Sequence, residues 1–377
     1  MKYNSPHIFH QKAKKNGLPE ESIKLAISYS DKLIANKLPV IFSLKHFSLI
    51  TGTNYKYLRR IVKRYEDPYS IFQMRKRSGG IRNICIPTPS IAQAQKFISK
   101  HILSTLIPNA RSYAYHPGNS IINCCRQHCA AKWIIKVDIQ QFFENISELK
   151  IFKKFNNLGY TKLLSLELAR LCTRISDKKK NFSFWQVRKI NNYTVIPTYN
   201  SKKLGSLPQG ASTSPMLSNI VCREMDSTFT TLMGKDGIIY TRYADDMTFS
   251  SSTGIKNRDD AKTLISKIYE VIYSYGFRPK TTKTKILSPG SKKIVLGLNV
   301  EGDEPKLLKE FKYRIEKHLH CIEKFGLLDY SIHIRFRDPL SFYEHLLGLI
   351  NYAEHVEPDF GIKCKNRLTS MKIFNEV

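Results

Sequence analysis

The stretch GIIYTRYADDMTFSSS, residues 237–252, predicts two apolar strands joined by a tight turn. Asp245 and Asp246 fall inside that turn. Adjacent carboxylates repel each other, and a bare pair would raise the pKa of one member, so a partner is implied. An ordinary hydrophilic hairpin turn is the alternative, and this stretch taken alone favours that alternative.

A third carboxylate follows another apolar segment. WIIKVDI, residues 133–139, is a nearly continuous apolar run typical of a buried strand, and Asp138 comes late in it. Burying a carboxylate without a partner is costly. Magnesium prefers oxygen ligands and keeps coordination positions for phosphate. Two such ions, about 3.5–4 Å apart, can activate an attacking 3′-oxygen and stabilise a leaving pyrophosphate. We therefore expect two Mg²⁺ ions, or Mn²⁺, at Asp138, Asp245 and Asp246.

The charge balance of the whole chain indicates an anionic partner. The 377 residues, enough for two or three packed units, carry 61 Lys and Arg against 31 acids, a formal charge of +30. So large a surplus repels itself unless something anionic absorbs it. Nucleic acid is the leading candidate because its phosphates are closely spaced. A merely soluble basic protein is the alternative.

Membrane and secretory classes are disfavoured. No apolar run approaches the roughly 18–20 residues that span a bilayer. The N-terminus has positive charge but lacks the apolar core of a secretory signal. The eight cysteines contain no CxxC pair, which disfavours zinc and disulfide frameworks. A cytoplasmic protein with reduced cysteines and no membrane partner is expected.

Three motifs together resemble the reverse transcriptase family. YADD at 243–246 resembles its Tyr-x-Asp-Asp signature, and DIQQFF at 138–143 resembles its first catalytic motif. Between them, LPQG at 207–210, followed by Ser214-Pro215 and Asn219, resembles its nucleotide-site motif. The order and spacing match, so the resemblance implies an RNA-directed DNA polymerase.

The resemblance implies an α+β right-hand polymerase with fingers, a palm on an antiparallel sheet, and a helical thumb. We predict an N-terminal helical segment at 1–65, fingers with the start of the palm at 66–135, the palm at 136–300 and the thumb at 301–377. The thumb would track an RNA or duplex backbone. A basic insertion at 174–204 interrupts the palm, and either an RNA contact or an effector contact would explain it.

In this family the aspartates that match Asp138 and Asp245 bind the metals, and the one that matches Asp246 assists. The resemblance also places Ile139 among the metal-binding residues. All three aspartates are expected to be catalytic.

The resemblance also assigns nucleotide-binding residues. The aromatic matching Phe143 lies under the incoming sugar and excludes a 2′-hydroxyl by clash, although plain core packing is an alternative for it. Phe142 is expected to be the core member, because neighbours in an extended segment face opposite ways. Gln209 lies beside the nucleotide. Arg82 is the expected triphosphate clamp, because a guanidinium fork suits phosphate oxygens, and Lys76 is a second clamp.

Further residues are assigned downstream. Lys283 matches the lysine that approaches the leaving phosphate, with a solvated lysine as the alternative. Gly297 and Leu298 lie in the hairpin that grips the primer end. The thumb residues first expected to bind RNA, with simple exposure as the alternative, are Lys312, Arg314 and Lys317.

Subtype markers favour the bacterial retron enzymes. YTRYADDMT at 240–248 is close to the retron form. His128 fits the retron Asn-Ala-x-x-His element, although Cys124 and Cys125 replace its Asn-Ala. Val295-Leu296-Gly297 stands where retron enzymes carry Val-Thr-Gly. Other anti-phage reverse transcriptases and group II intron enzymes are the alternatives.

The retron resemblance implies partners. Such enzymes bind a structured non-coding RNA, prime on a guanosine 2′-hydroxyl, and use dNTPs to copy part of the RNA into single-stranded DNA that stays joined to it. They act in anti-phage defence with a separate effector protein. A catalytically silent RNA-binding scaffold is a second class, and an RNA-dependent RNA polymerase is a third. The three carboxylates together with Phe143 disfavour both.

Overall fold

A computed structural model gives the fold over residues 6–75, 79–175 and 204–371. The predicted second clamp, Lys76, lies outside the described residues. So does most of the predicted basic insertion, namely residues 176–203.

The N-terminal part is helical, as its periodicity predicts. Its helices are α1 (Pro6–Lys15), α2 (Glu20–Ala35), α3 (Leu44–Thr51) and α4 (Tyr55–Val62). The side chains of Ser43 and Asn54 accept hydrogen bonds from the first-turn backbone of α3 and α4. These caps fix where two short helices begin.

A β-hairpin follows the N-terminal helices. Strands β1 (Tyr69–Arg75) and β2 (Ile81–Pro87) pair antiparallel over their full length. Gly79 and Gly80, in the connection, both have positive φ angles, which glycine adopts without steric cost. Helix α5 (Pro89–His101) follows, with proline at its first position.

A four-stranded antiparallel sheet carries the carboxylates. Its strands are β3 (Trp133–Asp138), β4 (Ile239–Tyr243), β5 (Asp246–Ser251) and β6 (Lys285–Leu287), in the order β4-β5-β3-β6. Strand β3 lies between two partners, which explains its nearly continuous apolar sequence.

Helices accompany this sheet. They are α6 (Ile121–Arg126), α7 (Glu148–Asn157), α8 (Lys162–Leu171), α9 (Ser214–Lys235) and α10 (Arg258–Ser274). The helical pattern of the sequence over roughly 147–175 corresponds to two of them, α7 and α8. Gly159, with φ +105°, lies in the connection between them, a conformation that no helix interior contains.

The C-terminal part begins with a small hairpin, β7 (Ile294–Val295) and β8 (Leu298–Asn299). Four helices follow within the described residues: α11 (Lys309–Phe325), α12 (Leu327–His333), α13 (Pro339–Val356) and α14 (Pro358–Ser370).

The described residues form two main apolar cores. One joins the N-terminal helices to the sheet and its helices. The other joins the C-terminal helices to the β7–β8 hairpin and reaches Cys125 and Ile134. The domain boundaries given above stay predictions. No helix of the described ranges is long and apolar enough to span a bilayer.

Candidate active site

The turn between β4 and β5 brings the three aspartates to one edge of the sheet. Asp138 at the end of β3 lies directly opposite Asp246 at the start of β5. Ala244 and Asp245 form the two-residue connection, and Ala244 has a φ of +58°. The backbone nitrogen of Ile139 donates to the Asp245 carbonyl oxygen over 3.0 Å. This hydrogen bond ties the turn to the end of β3.

Burial and neighbouring like charges raise the pKa values of Asp245 and Asp246. Burial, followed by the Asp246 and Asp138 charges, raises the pKa of Asp245 to about 6. Burial and the Asp138 charge also raise the pKa of Asp246. A bound cation would favour the ionised form of both groups, since an opposite charge lowers a carboxyl pKa.

Lys283 already contacts this edge. Its Nζ donates to Asp138 Oδ2 over 2.6 Å, and that hydrogen bond is the main reason why its pKa is raised. The Lys280 backbone nitrogen donates to the Asp138 carbonyl oxygen over 2.7 Å, so this loop lies alongside the end of β3. The structure therefore brings the predicted phosphate-contacting lysine to the predicted metal ligands.

The donor set fits a divalent cation by its chemistry. Asp138, Asp245 and Asp246 offer only oxygen atoms, the ligands that Mg²⁺ and Mn²⁺ prefer. Ile139 has an apolar, buried side chain and could contribute only its backbone carbonyl oxygen. Within the described ranges, no three His, Cys, Asp or Glu side chains already surround one point. At present the Lys283 ammonium supplies the positive charge at Asp138.

The chain turns sharply after β3 to place two phenylalanines. Gln141 has a φ of +47°, and a 3-10 helix starts at Phe143. Phe142 is buried and stacks on Phe277 with ring centroids 5.9 Å apart, which confirms it as the core member. The reason given from the sequence was wrong, because the segment is not extended. Phe143 remains partly accessible and packs against Phe142 at 5.3 Å.

The LPQG segment docks on the fingers hairpin. The backbone nitrogen of Cys85 on β2 donates to the Gln209 carbonyl oxygen over 2.7 Å. Gly210 has a φ of +126°, and a Cβ there would lie 2.6 Å from the Cys85 carbonyl oxygen, so glycine is required. Arg82 lies three residues before Cys85 on the same strand and is exposed.

The residues predicted to contact primer and RNA differ in their exposure to solvent. Gly297 is exposed in the β7–β8 turn, whereas the Leu298 side chain is buried in the second core. Arg314 and Lys317 are exposed on α11. Lys312 forms an ion pair with Glu357 and is half-buried. Its ammonium is therefore the least available of the three thumb cations.

Comparison with known proteins identifies the family. The family model described as "Reverse transcriptase (RNA-dependent DNA polymerase)" matches residues 74–313, well over half of the chain. The chain belongs to the reverse transcriptases. The right-hand polymerase fold and the RNA-directed DNA polymerase activity expected from the sequence are confirmed, and the family generally uses divalent metal ions.

Curated relatives assign this reverse transcriptase to the retron type. It is 28% identical to the retron Ec86 reverse transcriptase of Escherichia coli, over 76% of this chain and 79% of that protein. It is 27% identical to the retron Mx162 reverse transcriptase of Myxococcus xanthus, over 80% of this chain and 57% of that longer protein. A solved telomerase from Candida albicans aligns over 82% of this chain and 64% of that chain, with a TM-score of 0.41 and 12% identity, too distant a likeness to carry a conclusion.

Sequence reasoning missed a buried ion pair beneath the catalytic turn of this reverse transcriptase. Arg242 on β4 and Asp226 on α9 are both fully buried. The guanidinium donates through Nε to Asp226 Oδ1 over 2.8 Å and through Nη2 to Asp226 Oδ2 over 2.7 Å. An arginine inside an apolar strand was the available signal, because a buried guanidinium requires an acid.

The same guanidinium connects the turn to the rest of the palm. Nη1 donates to the Ala244 carbonyl oxygen over 3.1 Å and to Asn219 Oδ1 over 3.2 Å. Nη2 donates to Ser112 Oγ over 3.1 Å. Arg242 therefore positions the backbone that carries Asp245.

His128, taken from the sequence as a retron marker, is a neutral structural residue. Its two ring nitrogens each lie 2.6 Å from a hydroxyl, one of Ser250 and one of Thr241. Burial, followed by the Arg111 charge, lowers its pKa to about 3. The ring thus bridges β4 and β5 behind the catalytic turn.

Proposed function

We propose that this enzyme copies part of a structured non-coding RNA into single-stranded DNA that stays joined to the RNA, using two Mg²⁺ ions held by Asp138, Asp245 and Asp246. The carrying observation is the pairing of Asp138 with Asp246 across β3 and β5, with Asp245 in the adjoining turn. Mn²⁺ fits the same oxygen donors.

The side chains divide the work of nucleotidyl transfer. When bound, the metal ions supply activation of the attacking hydroxyl and stabilisation of the leaving pyrophosphate. The aspartates hold negative charge at a fixed edge. The Lys283 side chain is 47% exposed, so its flexible stem allows it to leave Asp138 and donate to the leaving phosphate. Exposed Arg82, on the strand that holds Gln209, donates to the triphosphate.

Two observations support the proposed RNA partner, namely the net charge of the chain and its similarity to curated relatives. A formal charge of +30 favours a polyanionic partner, and exposed Arg314 and Lys317 place part of that charge on the C-terminal helices. The curated relatives are retron reverse transcriptases. From that kinship we also propose an anti-phage role with a separate effector protein.

Purification with native nucleic acid tests this function. The wild-type protein should yield one dominant RNA species covalently joined to DNA, which both ribonuclease and deoxyribonuclease shorten. The D245N variant is the matched control and should retain the RNA without the DNA. Recovery of the same RNA without DNA from both proteins would contradict the copying activity and favour a silent scaffold.

Sugar selection tests the choice of product. In F143A the ring under the incoming sugar is lost, so ribonucleotides should gain roughly ten- to a hundredfold in relative use, since relieving overpacking by one atom is worth about 1–3 kcal/mol. Primer extension with ribo- and deoxyribonucleotides offered separately measures the ratio. Full discrimination in F143A would reduce Phe143 to a packing residue, and equal use of both by the wild type would contradict DNA synthesis.

A further inference from the structure

Tyr115 has a strained backbone close to the catalytic turn. It lies before α6 and has a φ of +69°, a region that non-glycine residues rarely adopt. Such strain persists only where the surroundings impose it, and it concentrates at functional sites.

Buried hydrogen bonds fix the residues that lead into Tyr115. The Tyr113 backbone nitrogen donates to the Arg242 carbonyl oxygen over 2.9 Å, and the Arg242 nitrogen donates to the Arg111 carbonyl oxygen over 2.8 Å. The Asn219 side chain donates to the Ala114 carbonyl oxygen over 2.7 Å. The segment is thus attached both to the strand of the catalytic turn and to helix α9.

The ring of Tyr115 lies beside Phe143. The two ring centroids are 6.2 Å apart with planes at 43°, and Phe143 also packs against buried Phe142. Tyr115 keeps 43% of its surface exposed. Burial, followed by the Asp245 charge, raises the pKa of the phenol to about 12, so the ring is neutral at working pH.

We propose that Tyr115 is the second aromatic wall of the nucleotide pocket and contacts the deoxyribose and base of the incoming nucleotide together with Phe143. A strained backbone, held by its neighbours, places a partly exposed aromatic ring next to Phe143, the predicted sugar contact. An aromatic face suits any of the four bases, because stacking does not depend on base identity. This inference rests on the proposed function, in which Phe143 lies under the sugar.

The variants Y115N and Y115F separate the ring from its hydroxyl. Asparagine tolerates a positive φ, so Y115N removes the ring without adding backbone strain. Exposed Tyr273 on α10 provides the matched control, Y273N. Single-nucleotide incorporation gives KM and kcat for each dNTP and ribonucleotide, and thermal unfolding checks the fold of each variant.

We expect Y115N to raise KM for all four dNTPs about tenfold, the order expected from losing one aromatic contact to a base. Its kcat should change less than its KM, because the metal-binding edge is untouched. Y115F and Y273N should stay near the wild-type values.

Wild-type KM values in a folded, active Y115N would overturn this inference and leave the proposed function intact. A loss confined to kcat would also overturn it, because it would make Tyr115 a support for the catalytic turn. A wild-type enzyme that extends no primer would overturn the proposed function first, and the nucleotide pocket with it.

Discussion

Two groups of charged side chains meet at the β4–β5 hairpin, and they differ in whether the charges are balanced. The catalytic edge holds like charges, and the pKa of Asp245 is raised to about 6. Beneath it, Arg242 and Asp226 form a fully buried pair in which each guanidinium nitrogen has an acceptor. A protein tolerates buried charge when it is paired, so the unbalanced charge of the three aspartates supports the proposed cation site.

The two groups are also connected. Arg242 Nη1 donates to the carbonyl oxygen of Ala244, the residue before Asp245. The Arg242–Asp226 pair therefore holds the backbone that carries Asp245 and Asp246. Changes at the three aspartates should mainly lower activity, whereas changes at the Arg242–Asp226 pair should mainly lower stability.

The largest effect is expected at the unbalanced edge. Replacing Asp245 and Asp246 by Asn should lower primer extension by at least about a thousandfold, because the metal ligands are lost. The melting temperature without added metal should stay level or rise, since two repelling charges are removed. Extension and thermal unfolding should be measured on the same preparation. Full activity in the double variant would refute the assignment of metal ligands.

At the paired group the main effect should be on stability. D226N leaves Arg242 buried without its counter-charge, which should lower the free energy of unfolding by about 3–5 kcal/mol. Denaturant unfolding measures this quantity. The control is E224Q on the same helix, where the side chain is 69% exposed and paired with Lys154, so a change below about 1 kcal/mol is expected. Equal effects of the two variants would mean that the buried pair is not a structural anchor.

The free energy of unfolding should depend on pH through His128, a neutral side chain that contacts β4 and β5. His128 has a folded-state pKa of about 3 and an unfolded value of about 6.5. Between these two pH values His128 is protonated in the unfolded chain but not in the folded chain. Stability that is present above pH 6.5 is therefore lost as the pH falls. At pH 5 the loss should be about 2 kcal/mol. Urea unfolding at pH 5 and 7.5 should show a smaller difference in H128N, and an identical difference would exclude His128 as the source.

The smallest effect should come from single exposed cations. K317A should lower the slope of log affinity for RNA against log salt by about one unit, because one phosphate contact is lost. K312A should lower it less, since Lys312 is already paired with Glu357 and its Nζ lies 5.1 Å from the Phe360 ring centroid. Filter binding of the copurified RNA at several salt concentrations measures both slopes. A larger change for K312A would show that its ion pair opens on RNA.

Local pattern was enough to predict the strands and the catalytic turn. The apolar run of β3 and the strands on either side of the YADD turn depend on neighbouring residues, and all three strands appear where expected. The contact of Lys283 with Asp138 joins residues that are 145 positions apart, so no local pattern encodes it. The strained φ of Tyr115 likewise follows residues that are bonded to Asn219 and Arg242, far away in the sequence, so no local pattern signals it.

The isolated bridge between Arg174 and Ser206 has a consequence for how this enzyme can change. Each backbone nitrogen donates to the other's carbonyl oxygen over 2.9 Å, so these two residues, 32 positions apart in the sequence, lie side by side. Closing a loop costs only about 0.6 kcal/mol more for each doubling of its length. Chain can therefore be added, removed or exchanged here at little energetic cost to the nucleotide motif that follows at Leu207. We expect segments grafted between these two residues to leave polymerase activity intact.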